Sequence, residues 1–329
     1  MVKVRTFNSK TGIETLSVQS ISKASANQRA GRSGREAPGV CYRLFPESSF
    51  ELLQEETEPE IKRCNLSSVL LLLKASGIKD VSSFDFIDKP SRSAFIAALE
   101  QLYALGALDK LGELTSLGKM MAIFPIAPQF AKVLISSQEY KCTEEAITII
   151  AMLSIEPVFF APYEKREEAA NTKKKFVNFE GDHVTLLNVF NQFDPKDWKW
   201  CSDNFINARS MRQIIDVRKQ LEQFTHQMGI PSSTCLNNYE PLLQCFLTGF
   251  FKNVAIRQHD GSYQTLSRQQ VWIHPSSVLF QQKAPCVMFG EWVETTRHYL
   301  RHVSYIQPSW VGKVAPQYYR HAGSADMQK

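Results

Sequence analysis

The chain has no apolar run near the ~20 residues that a membrane helix needs, so no membrane partner is expected over its 329 residues. Its start, Met1-Val2-Lys3-Val4-Arg5, lacks the apolar core of a secretory signal. No G-x-x-x-x-G-K-[ST] loop occurs anywhere, which excludes a self-contained phosphate-loop nucleotide site. Seven cysteines are present, but none forms a C-x-x-C pair. Their odd number argues against a closed disulfide framework, and their dispersal argues against structural zinc. They read as reduced thiols of the cytosol or nucleus. His298 and His302 lie four apart in a strand-like segment, a poor setting for a metal pair, so no metal site is expected. Charge of one sign is not in large excess either. A net +5 permits a polyanion partner without requiring one, so the placement of the charges must decide. What is present is globular: 43% of residues are hydrophobic. The length exceeds one ordinary core, so two to four modules are expected.

The most informative stretch is Gln28-Arg29-Ala30-Gly31-Arg32-Ser33-Gly34-Arg35. Arginines recur at every third position, interleaved with glycines. A guanidinium grips phosphate oxygens as a planar fork and keeps its charge. Glycines allow close backbone approach to a polyanion. The spacing suits a clamp on a nucleotide's phosphates, where arginines stabilise charge during phosphoryl transfer. A solvated basic loop is the other reading of the same pattern.

Ser20-Ile21-Ser22-Lys23-Ala24-Ser25-Ala26-Asn27 leads into this stretch, and Pro38-Gly39-Val40-Cys41-Tyr42-Arg43-Leu44-Phe45 follows it. Together they resemble motif VI and its flanks in the DEAH-box RNA helicases of superfamily 2. The resemblance continues through Trp310 and Ala315-Pro316-Gln317-Tyr318-Tyr319. It implies that Gln28 sits near the γ-phosphate of ATP, that Arg32 and Arg35 are arginine fingers, and that Arg29 is a structural or coupling residue. No D-E-A-H segment is present. Glu180-Gly181-Asp182-His183 only looks like one, and Asp182 reads instead as the first residue of a helix. The family's ATP-gripping lysine and its Mg²⁺-binding acid would precede residue 1. The chain is therefore expected to hold half a nucleotide site, starting within the second RecA-like domain.

The expected fold is mixed α/β and multidomain. Residues 1–58 would be the end of the second RecA-like domain, with a β-hairpin over 3–18, a helix over 22–30 capped by Ser22, and a short buried strand from Gly39 to Phe45. The acidic stretch Glu51 to Glu60 reads as a solvated helix plus linker. Residues 59–122 read as a winged helix. In it, Leu66 to Leu73 suggest a helix buried on most sides, and Phe95, Ile96, Leu99, Leu102 and Tyr103 share one face of the next. Ala107 to Leu114 would be two small strands. Residues 123–238 are dominated by helix and resemble the family's ratchet domain. Residues 239–320 read as a β-rich OB-fold, and 321–329 as a disordered tail.

Several residues in these modules are candidates for RNA. Arg297, Tyr299 and Arg301 share a strand face by period two with Val293, Thr295 and Val303. Cations alternating with a ring suit single-stranded nucleic acid. A long amphipathic helix follows Asn207 and carries Arg209, Arg212, Arg218 and Lys219. In the family such a helix lines the RNA channel, and Asn207 and Arg209 fall where side chains reach the strand. The same arginines also suit a merely soluble face. Lys173, Lys174 and Lys175 read as a solvated run or as an RNA contact. His274 reads as a structural hydrogen-bonder.

The resemblance implies the C-terminal portion of an ATP-dependent RNA helicase that grips and moves single-stranded RNA. It implies ATP with Mg²⁺ as cofactors and an N-terminal RecA-like domain as partner. In several family members a glycine-rich-patch activator docks on the winged-helix and OB surfaces. The segments Cys142-Thr143-Glu144-Glu145 and His274 to Phe280 resemble a nucleolar ribosome-biogenesis branch more than the splicing branch. A nuclear or nucleolar location follows, with the cytoplasm as alternative. A truncated, non-catalytic module that binds RNA or docks partners is the other functional reading. The purified chain is expected to show no RNA-stimulated ATP hydrolysis in a phosphate-release assay. Measurable turnover would mean that a complete nucleotide site exists within these residues.

Overall fold

The computed structural model describes residues 1–9, 13–155, 157–294 and 297–316. Lys10-Thr11-Gly12 of the turn expected over residues 8–12, the pair Thr295-Thr296, the segment Gln317-Tyr318-Tyr319 and the tail lie outside the described residues.

The chain opens with β1 (Val2–Asn8) and β2 (Ile13–Gln19), an antiparallel hairpin in the expected place. Helix α1 (Lys23–Ala30) follows, and the Ser22 side chain accepts a hydrogen bond from the Ser25 amide as N-cap. Short helices α2 (Glu47–Glu51) and α3 (Glu60–Arg63) flank the acidic stretch, so its helix lies earlier than expected and begins after Pro46. The strand expected from Gly39 to Phe45 is absent. Val40, Tyr42 and Leu44 are instead widely exposed. A strand needs a neighbour to take its backbone hydrogen bonds, and no described strand lies beside this segment.

Three helices form the next unit: α4 (Ser67–Ala75), α5 (Arg92–Ala104) and α6 (Ser116–Ile123). Helix α4 buries Leu70 and Leu71 but leaves Val69 and Leu72 exposed, so it is not buried on most sides. Helix α5 turns Ala94, Ala98 and Leu102 inward, while Ile96 and Tyr103 are exposed. The short alanine side chains let α5 approach its neighbours closely, and closeness decides the buried face more than side-chain size does. The two expected strands reduce to a single bridge, Leu108 with Leu114.

Helices α7 (Pro128–Tyr140), α8 (Thr143–Ser154), α9 (Arg166–Lys173), α10 (Asp182–Gln192), α11 (Lys199–Asp203), α12 (Ala208–Gln227) and α13 (Glu240–Phe250) follow. Helix α8 is mostly apolar after its acidic first turn and is buried through Ala146, Ile147, Ile149, Ile150 and Met152. The apolar run from Phe246 to Ile256, read with the β-rich module, divides. Its first part ends α13, and only Val254 onward is strand. Helix α13 crosses α7 so closely that a Cβ on Gly249 would lie 2.2 Å from the Gln129 carbonyl oxygen.

Strands β3 (Val254–Arg257), β4 (Tyr263–Thr265), β5 (Gln270–Ile273), β6 (Cys286–Glu294) and β7 (His298–Tyr305) then close into a barrel. The pairing order is β6-β3-β4-β5-β7, and β7 returns to β6. Helix α14 (Pro308–Val314) packs Trp310 and Val311 into the helical core. The first half of β6, residues 286–289, is apolar on both faces. Val287 and Phe289 fill the barrel, whereas Cys286 and Met288 join the core shared by α4, α7, α8 and α13. The N-terminal hairpin joins the same strand, because β2 runs parallel to β6 at Thr15–Trp292 and Leu16–Val293.

Alanine at Gly249 should gain helix propensity of ~1 kcal/mol yet lose more to overpacking, typically 1–3 kcal/mol or beyond. A lower urea midpoint for Gly249→Ala is the expected outcome. A higher one would show that α7 and α13 can separate without cost.

Candidate nucleic-acid interface

Two surfaces carry the chemistry. The first is the arginine stretch. Helix α1 runs directly into a 3₁₀ turn at Gly31–Gly34, with right-handed helical backbone at Gly31 and at Arg35. A three-residue repeat matches the three residues per turn of this tighter helix. Arg32 lies in this turn, Arg35 ends it, and Arg29 belongs to the last turn of α1. All three, and Gln28, are exposed. None of the arginines has a hydrogen-bond or ion-pair partner among the described residues. Gly31 and Gly34 border open space, so neither is demanded by crowding in this chain. Gly39 is: a Cβ there would lie 2.1 Å from the Ser33 carbonyl oxygen, which folds the following segment back over the turn. The arrangement presents cations and donors outward, able to meet phosphate oxygens supplied from another surface. Among the described residues no group of His, Cys, Asp or Glu is arranged to hold a metal ion.

The second surface lies where the helical region meets the barrel. Gly181 has φ +130°, and a Cβ there would lie 2.4 Å from the Ser304 Cα. The backbone of this loop lies against β7, with the Tyr305 amide donating to the Glu180 carbonyl at 2.9 Å. Asp182 then starts α10, as expected, but its carboxylate reaches across the seam. Oδ1 accepts from the Val278 amide at 2.9 Å and Oδ2 from the Val303 amide at 2.8 Å. His183 is fully buried with Nδ1 2.8 Å from the Ser304 hydroxyl. Burial, with a smaller push from His302, lowers its pKa to about 3. Lys173 donates to the Ser276 carbonyl at 2.7 Å. Sequence reasoning missed this seam. Its only local signal is a glycine before a capping aspartate, which reads as an ordinary helix start.

A cleft of about 190 Å³ opens at the seam, lined by Phe159, Lys173, Asp182, Ser276, Arg301 and His302 among others. Of the barrel candidates, Arg301 faces this cleft and also meets Glu291 at 3.4 Å. Arg297 is exposed and lies over the Trp272 ring, 5.1 Å from its centroid. Tyr299 is half-buried, edge-on to His274 at 5.5 Å. His274 accepts from the Ser276 amide through Nδ1, the structural duty expected of it. The period-two face breaks at His302, which has φ +54° opposite Gly290. Leu300 and Val303, three apart, are both buried in the barrel. Val303 therefore does not share a face with Arg301. The left-handed backbone at His302 turns the pleat over, and Gly290 leaves it room.

The long helix divides its candidates. Asn207 is the N-cap of α12, its side-chain oxygen accepting from the Arg209 and Ser210 amides. Arg209 is exposed. Arg212 lies over Trp198 at 4.6 Å. Arg218 is absorbed in pairs with Glu144 and Glu222 and lies over Phe190, so it stiffens the helix packing. The structure thus brings Arg297, Tyr299 and Arg301 together on the barrel, and leaves Asn207 and Arg209 on a separate element.

The folded His183 pKa lies below the ordinary value of 6.5, so the unfolded chain binds more protons between the two. Stability supplied by neutral His183 is present above pH 6.5 and is lost as pH falls below it, at up to roughly 1.4 kcal/mol per pH unit. Urea midpoints measured from pH 7 to 5 should fall more steeply for the wild type than for His183→Gln. Equal slopes would mean that this ring is protonated within the fold.

Comparison with known proteins agrees with this architecture. Residues 98–126 match the winged-helix model of the helicase associated domain (HA2), and 127–186 match its ratchet-like model. Residues 242–318 match an oligonucleotide/oligosaccharide-binding (OB)-fold. The chain is 42% identical to the pre-mRNA-splicing factor ATP-dependent RNA helicase DEAH10 of Arabidopsis thaliana, over 98% of this chain and 47% of the relative. It is 42% identical to the human ATP-dependent RNA helicase DHX33, over 97% of this chain and 46% of the relative. Against the pre-mRNA-splicing factor ATP-dependent RNA helicase prp22 of Schizosaccharomyces pombe, identity is 44% over 100% of this chain and 28% of the relative. The chain spans less than half the length of these relatives.

Proposed function

Because the chain belongs to the DEAH-box helicase family, as a C-terminal portion of such a protein, we propose that it is the strand-gripping part of an ATP-dependent RNA helicase. The observation that carries this reading is the set Arg297, Tyr299 and Arg301 on a closed barrel fused to the helical core, with Arg297 exposed, Tyr299 half-buried and Arg301 lining a cleft. Cations take phosphates and the ring takes a base face, with little reading of sequence. Arg209, exposed at the start of α12, adds a cation on a separate element, and Asn207 offers its side-chain Nδ2, its oxygen being spent on the cap.

The arginine stretch supports the second half of the proposal. Gln28, Arg32 and Arg35 are exposed and poised to meet the γ-phosphate of ATP held by an N-terminal RecA-like domain. ATP with Mg²⁺ supplies the phosphoryl-transfer chemistry. This chain's arginines would stabilise the charge that develops there. We assign residues 1–58 to the second RecA-like domain, 59–122 to the winged helix, 123–238 to the ratchet domain and 239–320 to the OB-fold. Two of the relatives are named as splicing factors, which favours a nuclear role in RNA remodelling. A nucleolar site and a glycine-rich-patch activator belong to the same proposal.

Binding of single-stranded RNA by the purified chain, followed across a salt series, tests the reading. The wild type should bind with a clear salt slope that ignores ATP. Arg297→Ala with Arg301→Ala should lower that slope by up to two contacts, about 0.7 each. No binding at low salt would favour the partner-docking module instead.

A further inference from the structure

We propose that the cleft at the seam seats one phosphate group of the bound RNA strand, between the Lys173 ammonium and the Arg301 guanidinium. This rests on the RNA-gripping reading and adds Lys173, together with a defined place, to it. Lys173 is unlike its two neighbours. Lys174 pairs with Asn171 and Lys175 is exposed, whereas Lys173 turns inward to line the cleft. Its contacts there are neutral: the Ser276 carbonyl at 2.7 Å and the face of Phe159, 4.9 Å from the ring centroid. No carboxylate lies within salt-bridge distance of its Nζ among the described residues. A half-buried ammonium with no carboxylate within salt-bridge distance is costly, and burial pushes its pKa down by more than the nearby Asp182 charge raises it. An anion in the cleft would remove that cost, and two of the three N–H donors of Lys173 are unspent.

The nearest acid does not fill this role. Asp182 lines the cleft, but each of its oxygens already accepts a backbone amide. The barrel side contributes Arg301, whose fork suits a phosphate's geometry. A base is a poorer occupant than a phosphate for two reasons. Lys173 already covers the Phe159 ring that would stack on it. The volume, about 190 Å³, is also below the ~300 Å³ at which pockets for larger organic ligands begin. The seam itself is held by backbone contacts from Gly181 and Asp182, so the two cations are carried on elements locked together.

The test uses a short uridine oligonucleotide and the whole chain. Lys173→Met keeps the alkyl stem and loses the charge. It should lower the salt slope of binding by one contact, about 0.7, while Lys173→Arg keeps it. Lys173→Met combined with Arg301→Met should weaken binding less than the product of the single losses, because both side chains hold one phosphate. An oligonucleotide with abasic positions should show the same Lys173 effect. An unchanged slope in Lys173→Met, with the Arg297/Arg301 effect intact, would overturn the seat and leave the RNA reading standing. If no variant alters the slope, both fall. Amine acylation of the wild type, read by mass spectrometry, covers the case in which Lys173→Met does not fold. RNA should protect Lys173 more than Lys175, and equal modification with and without RNA would overturn the proposal.

Discussion

The architecture depends on one doubly buried strand. Strand β6 has the barrel interior on one side, through Val287 and Phe289, and the helical core on the other, through Cys286 and Met288. Each of these side chains is withdrawn from water almost completely, and sliding the barrel against the helices would expose the Cys286 and Met288 row at ~25 cal/mol per Å². The same strand receives the N-terminal hairpin along its edge. The barrel, the helices and the hairpin therefore share a structural element and do not hang on linkers. Directional contacts at the seam then select one orientation. Gly181 permits the approach, and the Asp182 carboxylate fastens it with two amide hydrogen bonds.

The fold also sorts the positive charges. Arg218 is spent on Glu144 and Glu222, and Lys23 on Glu51 and Glu55. Such residues contribute to packing and local order, and exposed pairs of this kind contribute little to stability. The charges proposed to meet a polyanion sit in places that the fold has arranged: the 3₁₀ turn after α1, strand β7 and the cleft at the seam. Glu291 links these regions electrostatically, lying 3.0 Å from Arg5 of the hairpin and 3.4 Å from Arg301 of β7. A modest net charge thus conceals a pronounced local arrangement.

Much of the fold was legible because short-range chemistry fixes it. The Ser22 cap, the largely apolar α8, the long amphipathic α12 and the five strands of the barrel all follow from periodicity and caps. The failures share one cause: the partner surface lies elsewhere in the chain. The Gly39–Phe45 segment has strand composition but no described strand beside it. Helix α5 buries its alanines and exposes Ile96, because close approach is decided by the neighbour. The run from Phe246 to Ile256 holds a helix and a strand with one composition. The pleat inversion at His302 needs Gly290 opposite it, a pairing invisible along either strand alone.

For the candidate site the division is similar. The repeat of Arg29, Arg32 and Arg35, the absence of a phosphate loop, and the Arg–Tyr–Arg alternation near residue 299 are properties of the sequence by itself, and they set the chemistry proposed for it: anion binding without a complete nucleotide site. The tertiary structure decided which cations serve it. It withdrew Arg218, gave Asn207 a capping duty, and turned Lys173 from a solvated run into a cleft. Side-chain charge is set by covalent identity, whereas availability depends on distances to groups that lie far away in the chain. Only the folded chain sets those distances.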